Sequence, residues 1–397
     1  MLRKVKFNNF YSFKGVQEID FLTSKKKSDD YYTSKTGEQI TKIMGLAGPN
    51  ASGKTNIMRL FSFLSYFICR ETPESQANNL IILDYAYKTH FNNNKESNFF
   101  VEFEKNDKIF FYEFSLQNYF IKKEKLVIKD LRKKERNKTI LERDQKKVTK
   151  KSEQYFASLP NDFFRNIRPD VSLITFLKRS QFEFEVISTI FDYFANFQTN
   201  INERGEINHL LLQIVAIRKY LNDPKLKEQM ERFITNFDLG LAGFKILEEN
   251  LENNQHKYAV SGIHKTKEKK KELDIFYESS GTRQLFFYLP SLLDGLNKNG
   301  VVIIDEMEVG LHPEALNQIL NFFIDENKNR KAQLIFSSHS LNFLKKLNMQ
   351  QIYLTEKDDL SISSAYRLDE VNNIRPDENF LGKYMSGAYG AFPKIRI

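Results

Sequence analysis

Eight residues, GPNASGKT from Gly48 to Thr55, have the types and spacing of a phosphate cradle. Gly48 and Gly53 let the backbone wrap an anion, Pro49, Asn50, Ala51 and Ser52 carry the chain between them, and a helix beginning near Lys54 points free N–H groups at the same charge. Lys54 would reach the β- and γ-phosphates of a nucleotide, the Thr55 hydroxyl would ligate Mg2+, and Asn56 continues the loop into the helix. The stretch sits between an apolar strand, TKIMGLA, and a long apolar helix, NIMRLFSFLSYFI, the setting in which this spacing binds phosphate. A second stretch complements it. VVIIDE, from Val301 to Glu306, offers four apolar residues for a buried strand, Asp305 at its end to hold Mg2+ through water, and Glu306 to polarise an attacking water. An acidic pair ending a strand can be simple helix capping; beside a phosphate loop it reads as catalysis.

A third stretch, ESSGTRQLFF over residues 278–287, runs from a Ser-Ser-Gly-Thr turn into an apolar segment. Ser280, Gly281 and Thr282 thus stand at a helix start, suited to an anion.

The elements that must position these groups follow from hydrophobic period. VKFNNFYSFKGVQEIDF predicts strand, turn and strand; TSKKKSDDYYTSKTGEQ reads as a polar, mobile loop. Residues 98–130 alternate as a β-meander with a KND turn. Residues 152–235 have no Gly but Gly205 and show helical spacing, as in HLLLQIVAIRKYL, so they form a helical insertion. A basic hairpin follows, and GVVIIDE, AQLIFSSHS and QIYLTEK are apolar strands separated by helices, which predicts a parallel α/β sheet. The expected organisation is an N-terminal half over 1–150, the helical insertion over 151–240 and a C-terminal half over 241–397.

The 397 residues, 41% hydrophobic, suffice for a real core; 36 Phe and 18 Tyr with no Trp read as core filling. A single cysteine, Cys69, and an N-terminus without an apolar leader point to a reducing cytoplasm, and no run of about 18 apolar residues predicts a membrane span. The net charge of +9 is concentrated: residues 122–151 hold 14 Lys/Arg against 5 Asp/Glu. That run reads either as a patch for nucleic acid or another polyanion, or as a solvated hairpin. The six histidines, at 90, 209, 256, 264, 312 and 339, are scattered, so no metal-nuclease cluster is visible.

About 250 residues separate the phosphate loop from VVIIDE, so the chain must leave the sheet and return. In this the sequence resembles ATPases of the ABC and SMC-like type, and the resemblance extends to NNFYSFKG, ESSGTRQ, EVGLHPE and FSSHS. It implies an ABC-ATPase-like P-loop head with a mixed or parallel sheet, ATP and Mg2+ as ligands, and a switch histidine at His339 that senses the γ-phosphate; a core or capping imidazole is the alternative. It further implies that Ser280 and Gly281 contact ATP held by another subunit, so that a dimer or higher even oligomer traps two ATPs. Here Thr282 replaces the usual second glycine and Arg283 the following glutamine. That variant looks like the SMC-like ATPases of bacterial defence systems, and the ending NFLGKYMSGAYGAFPKI resembles stand-alone ATPases of abortive-infection, RloA-like, Septu-like and PARIS-like systems, encoded beside a separate protein effector. Overcoming-lysogenization-defect nucleases share the head but add a nuclease domain, whereas only about forty residues follow QIYLTEK here. The resemblance covers roughly 1–130 and 240–397. Residues 206–235 allow a short helical hairpin and not the long coiled coil of true SMC proteins. Two functions are therefore expected: an ATPase that senses infection and controls an effector, or a DNA-repair ATPase that grips DNA itself, through 122–151.

Overall fold

The computed structural model of the chain describes residues 1–23, 28–69, 87–133, 136–160, 162–202, 205–207, 209–235, 240–250, 256–267, 269–308 and 310–392. Its elements begin with β1 (Leu2–Phe7), β2 (Gln17–Asp20), β3 (Leu22–Thr23), β4 (Tyr31–Thr33), β5 (Gln39–Thr41), β6 (Ile43–Ala47) and helix α1 (Lys54–Cys69). Strands β7 (Ser97–Lys105), β8 (Lys108–Gln117), β9 (Phe120–Asp130), β10 (Lys138–Asp144) and β11 (Lys147–Lys151) follow. The middle holds α2 (Glu153–Phe156), α3 (Leu173–Lys178), α4 (Glu185–Ala195), β12 (Gln198–Thr199), β13 (Ile201–Asn202), β14 (Gly205–Glu206), α5 (His209–Asn222) and α6 (Pro224–Thr235). The last part comprises β15 (Leu241–Asn250), β16 (His256–Lys265), β17 (Lys270–Asp274), α7 (Ser280–Lys298), β18 (Val301–Ile304), α8 (Pro313–Glu326), β19 (Gln333–Ser337), β20 (Ile352–Lys357), β21 (Ser363–Arg367) and α9 (Phe380–Met385).

The central sheet runs β12-β18-β19-β6-β20-β21 and is parallel except for β21. Its strands β6 and β18 are apolar without a break because both faces are covered, and side chains alternate between two cores. Met44, Leu46, Val301, Ile303 and Ile335 face α1 and the meander; Ile43, Val302, Ile304, Leu334 and Phe336 face α7 and α8. The second sheet, β11-β10-β9-β8-β7-β1-β2, is the expected meander, longer than predicted. Asn106 and Asp107, with φ of 50° and 59°, turn β7 into β8 at the KND site, since a two-residue hairpin needs left-handed positions. The meander's inner aromatics meet α1: the Phe67 and Phe114 rings stack at 4.2 Å, and Phe63 lies 5.2 Å from Phe99. Each such buried ring contributes about 1.5–3 kcal/mol relative to exposure, so the phenylalanine surplus serves the core.

Two segments depart from the sequence reading. The polar stretch expected as a mobile loop carries β3, β4 and β5, paired as a small sheet, with residues 24–27 outside the description. Distant side chains hold it: Arg3 bonds Ser34 and pairs with Glu38 and Glu102, and Lys42 donates to the Asp29 carbonyl at 3.1 Å. Period alone cannot see such partners. The segment expected as a helical insertion holds helices α2 to α6, α5 and α6 forming the helical hairpin, but it also supplies β12, the edge of the central sheet beside β18. The closing NFLGKYMSGAYGAF folds back on the other edge, where Tyr366 Oη donates to the Tyr389 carbonyl and Glu356 accepts from Ala391 N–H; Pro393, Lys394 and Ile395 lie outside the described residues. Among the described residues, no helix is long and apolar enough to cross a membrane.

The basic run 122–151 forms β9 to β11, with Lys134 and Glu135 outside the description. Not all of its charge is on the surface. Arg143 and Glu124 are buried as a pair at 2.8 Å, with Glu124 also accepting from Tyr112 Oη at 2.6 Å and Leu173 N–H at 2.8 Å. Burial pushes the Glu124 carboxyl up, against the pull of Arg143 and these hydrogen bonds. Removing one member strands the other in a dry site: Glu124→Ala should lower stability by about 3–5 kcal/mol, read as the shift of a urea midpoint. Replacing both, as Glu124→Leu with Arg143→Met, should cost much less, and equal losses would contradict this account.

Candidate functional site

The sheet order brings the chemical groups to one edge. β19 lies between β6, which ends at the phosphate loop, and β18, which ends at Asp305; ligands of parallel sheets sit at the carboxyl ends of strands. The loop leaves β6 at Gly48, whose φ is +155°, and a Cβ built there would lie 2.3 Å from the Thr355 carbonyl oxygen of β20. Ser52 is buried and its hydroxyl meets the Thr355 hydroxyl at 2.6 Å, so Ser52 fixes the loop to β20. Asn50 and Ala51 form the exposed crest, Ala51 with a left-handed φ of 61°. Gly53, φ +117°, leaves no room for a side chain between Phe13 and Ser363, where built Cβ contacts would be 2.9 Å. The opening NNFYSFKG therefore packs under the loop, and Ser12 ties in twice, through Asn56 and through Ser363, both at 2.8 Å.

Lys54 begins α1, buried, its ammonium donating to the Gly48 and Pro49 carbonyls at 2.8 and 3.0 Å. Burial lowers its pKa, while the negative charges of Asp305, Glu306 and Glu308 oppose that fall, which locates all three acids around it. Thr55 is half-buried in the first turn. Asp305 is held on both sides of its backbone by the Asn200 side chain, at 2.8 and 2.9 Å, and its carboxylate accepts from Ser337 Oγ. The Ser337 hydroxyl also accepts from the Glu306 N–H at 2.8 Å. Glu306 has φ +52°, a strained position for a residue other than glycine, and its half-exposed carboxylate stands 3.7 Å from His339 Nε2. Thr55 and Asp305 offer hard oxygen donors, and among the described residues no group of three or more His, Cys, Asp or Glu could hold a metal by itself. That donor set suits Mg2+ shared with phosphate oxygens. Beside the loop opens a cleft of about 310 Å3 lined by Tyr11, Asn56, Arg59, Lys88 and Lys357, with the Arg59 guanidinium 5.0 Å above the Tyr11 ring.

The Ser-Ser-Gly-Thr turn is the N-terminus of α7, but Ser279 is its cap, accepting from Thr282 N–H at 3.1 Å. Thr282 differs from expectation: it is buried, its hydroxyl lies 2.9 Å from Ser279 Oγ, and it braces its own helix instead of facing an anion. Ser279 and Ser280 are exposed. Gly281 is packed on the loop after β18, where a built Cβ would lie 2.6 Å from the Gly310 carbonyl oxygen. Among the described residues, no hydrogen bond or ion pair joins this turn to residues 48–56 of the same chain. His312 of EVGLHPE caps α8, its Nδ1 accepting from Glu314 N–H at 3.2 Å. Asn200, Ser337, Glu308 and Thr355 escaped the sequence reading; the signal available was the third acid of DEME and the serines of FSSHS, quoted for their histidine alone.

The family described as "AAA domain, putative AbiEii toxin, Type IV TA system" matches residues 43–345. No curated protein matches the chain. Similar solved structures include the SMC head domain from Thermotoga maritima, at 12% identity over 92% of this chain and 98% of that one with a TM-score of 0.44. Another is the SmcHead bound to the C-winged helix domain of ScpA, at 12% identity over 93% and 99% with a TM-score of 0.45.

The loop geometry makes one prediction. Gly48→Ala adds a side chain where β20 already stands and forces a strained φ, so nucleotide binding should be lost and stability should fall by about 1–3 kcal/mol. Fluorescent-nucleotide titration and thermal melting check both, and unaltered binding would contradict the cradle described.

Proposed function

The chain belongs to the AAA-domain family so described, and on that premise we propose that it binds and hydrolyses ATP as the sensor or regulatory subunit of a bacterial anti-phage defence system, controlling a separate protein effector. The observation that carries the ATPase reading is the single sheet edge at which Lys54, Asp305, Glu306 and His339 converge. Gly48 to Asn56 cradle the triphosphate, Lys54 reaches its β- and γ-phosphates, and the Tyr11–Arg59 cleft takes the nucleoside end. Mg2+, held by the Thr55 hydroxyl and through water by Asp305, would neutralise charge on the phosphate oxygens. Glu306 orients and polarises the attacking water, and His339, within reach of Glu306, senses the γ-phosphate. The regulatory role is drawn from the family's description, "putative AbiEii toxin, Type IV TA system", together with the defence-type features of the sequence.

Ser280 stands exposed on a helix N-terminus with Gly281 buried behind it, which supports this turn's binding the γ-phosphate of a second copy. A Ser280→Arg chain should then bind ATP yet fail to hydrolyse it, and a Lys54→Ala chain should fail to bind. Mixed, they should recover activity, because each hybrid dimer has one site with an intact loop and an intact turn. Random exchange makes about half of the dimers hybrid, so recovery reaches at most about a quarter of the parent rate where the two sites fire independently. Exchange is verified by tagged pull-down; parent-rate hydrolysis by Ser280→Arg alone would sink the dimer reading.

One observation favours the second reading, a DNA-gripping ATPase: Lys146, Lys147 and Lys150 are exposed on the β10–β11 hairpin. On that reading, duplex DNA should bind at low salt with affinity falling steeply as salt rises, since each neutralised phosphate releases counterions. Reversal of these three lysines to Glu should abolish the mobility shift, and absence of binding by the parent at low salt would leave the hairpin as a solvated surface.

A further inference from the structure

The turn after β18 carries a third acid that the proposed chemistry does not use. Glu308 extends one carboxylate oxygen to the backbone N–H of His339, across the gap between β18 and β19. Its other oxygen, Oε2, is buried without a hydrogen-bond partner. A half-satisfied carboxylate with one oxygen shielded from water is costly, and the acceptor that His339 N–H needs could have come from a neutral side chain. The surrounding bonds show what the residue is tied into. Met307 N–H donates to the Ser337 carbonyl at 3.1 Å, and Glu306 N–H donates to the Ser337 hydroxyl. The turn is closed by Leu311 N–H on the Glu308 carbonyl at 2.8 Å, and Tyr288 Oη of α7 donates to the Met307 carbonyl at 2.9 Å. Successive residues 306, 307 and 308 are thus fastened to successive points of the β19 end, and Glu308 is the one that reaches past Ser337 to the histidine.

We infer that Glu308 is a positioning residue for hydrolysis, its carboxylate fixing the His339 backbone to the acidic turn so that the imidazole and the Glu306 carboxylate are held at one place. This rests on the proposed roles of Glu306 and His339. Glu308 touches neither nucleotide nor water in this scheme; it acts through His339. Tyr288 carries the same restraint to α7, the helix whose first turn holds Ser280, so the position of that helix and the position of His339 are mechanically joined through residues 307 and 308.

The test is steady-state ATP hydrolysis by the full chain, with fluorescent-nucleotide affinity and melting temperature measured alongside. Glu308→Ala should lower kcat by about tenfold or more, as expected when reacting groups lose alignment, with KM and nucleotide affinity within about twofold of the parent. Glu308→Gln keeps an acceptor oxygen at the same reach and should restore kcat to within about threefold. A structural role alone would lower the melting temperature and leave kcat of the folded fraction intact. Parent-rate turnover by Glu308→Ala, or a Gln variant as slow as the Ala variant, overturns the proposal. Should Glu308→Ala fail to fold, Tyr288→Phe decides: kcat reduced several-fold at unchanged KM supports the coupled turn, and an unchanged kcat overturns it. Glu306→Gln is measured in parallel, because parent-rate turnover there would bring down the reading of the site itself, whereas an inactive Glu306→Gln beside a fully active Glu308→Ala rejects only the positioning role.

Discussion

Ser337 is the residue on which the site depends. Its hydroxyl donates to the Asp305 carboxylate and accepts from the Glu306 N–H, its carbonyl accepts from the Met307 N–H, and its backbone pairs with Leu46 of β6, two residues before Gly48. One serine therefore sets the acidic turn and the phosphate loop at a fixed separation. The constraint behind it is topological. Because β19 is inserted between β18 and β6, neither motif can move toward the other without breaking the parallel ladder, and the residues that leave β19, ending in His339, emerge between them.

The rest of the molecule keeps that edge in place. The phosphate loop is braced from below by Phe13 and Ser12 of the first turn, from the side by Ser52 on Thr355, and from behind by α1, whose aromatic stripe is clamped between the central sheet and the meander. Arg3 in β1 joins the meander to the small sheet through Glu102, Glu104 and Glu38. Asn200, from the middle of the chain, holds the Asp305 backbone. These contacts join residues far apart in sequence, and so their energetic worth lies in excluding alternative placements of a loop whose φ angles at Gly48, Ala51 and Gly53 are unfavourable to most residues.

What the sequence made legible was local. The strand–loop–helix around GPNASGKT, the apolar strands and the KND hairpin each follow from residue types within a dozen positions, and each is found where expected. What stayed hidden was set by partners elsewhere in the chain. Residues 23–39 read as a loop because their strands are short and polar, held by Arg3 and Lys42 rather than by alternation. Glu124 and Arg143 looked like two more charges of a basic run until pairing across β9 and β10 buried both. Ser279 and Ser280 are indistinguishable as letters; only the backbone shows that the first caps the helix and the second is exposed, and that Thr282 is spent on the cap.

That cap is also where helix α7 meets the segment that follows β18. Gly281 and Gly310 face each other so closely that a Cβ on either would strike the other's backbone or Ser280, and Gly310 holds a left-handed φ of +73° to allow the approach. Seven residues on from Gly281, about 10 Å along the helix, Tyr288 bonds the Met307 carbonyl. Helix α7 thus touches the segment after β18 at two separated points, and a helix is stiff between them. Before the cap, Glu278 is buried and paired with His264 of β16 at 2.7 Å, so the helix start is anchored to the β15–β17 sheet as well. An anion that shifts Ser280 must then either bend α7 or carry residues 307 to 310 with it. Bending would break packed turns in the core; moving the segment disturbs the bonds around Glu308 and Ser337 and the buried Met307 side chain. The second path leads to Glu306 and His339.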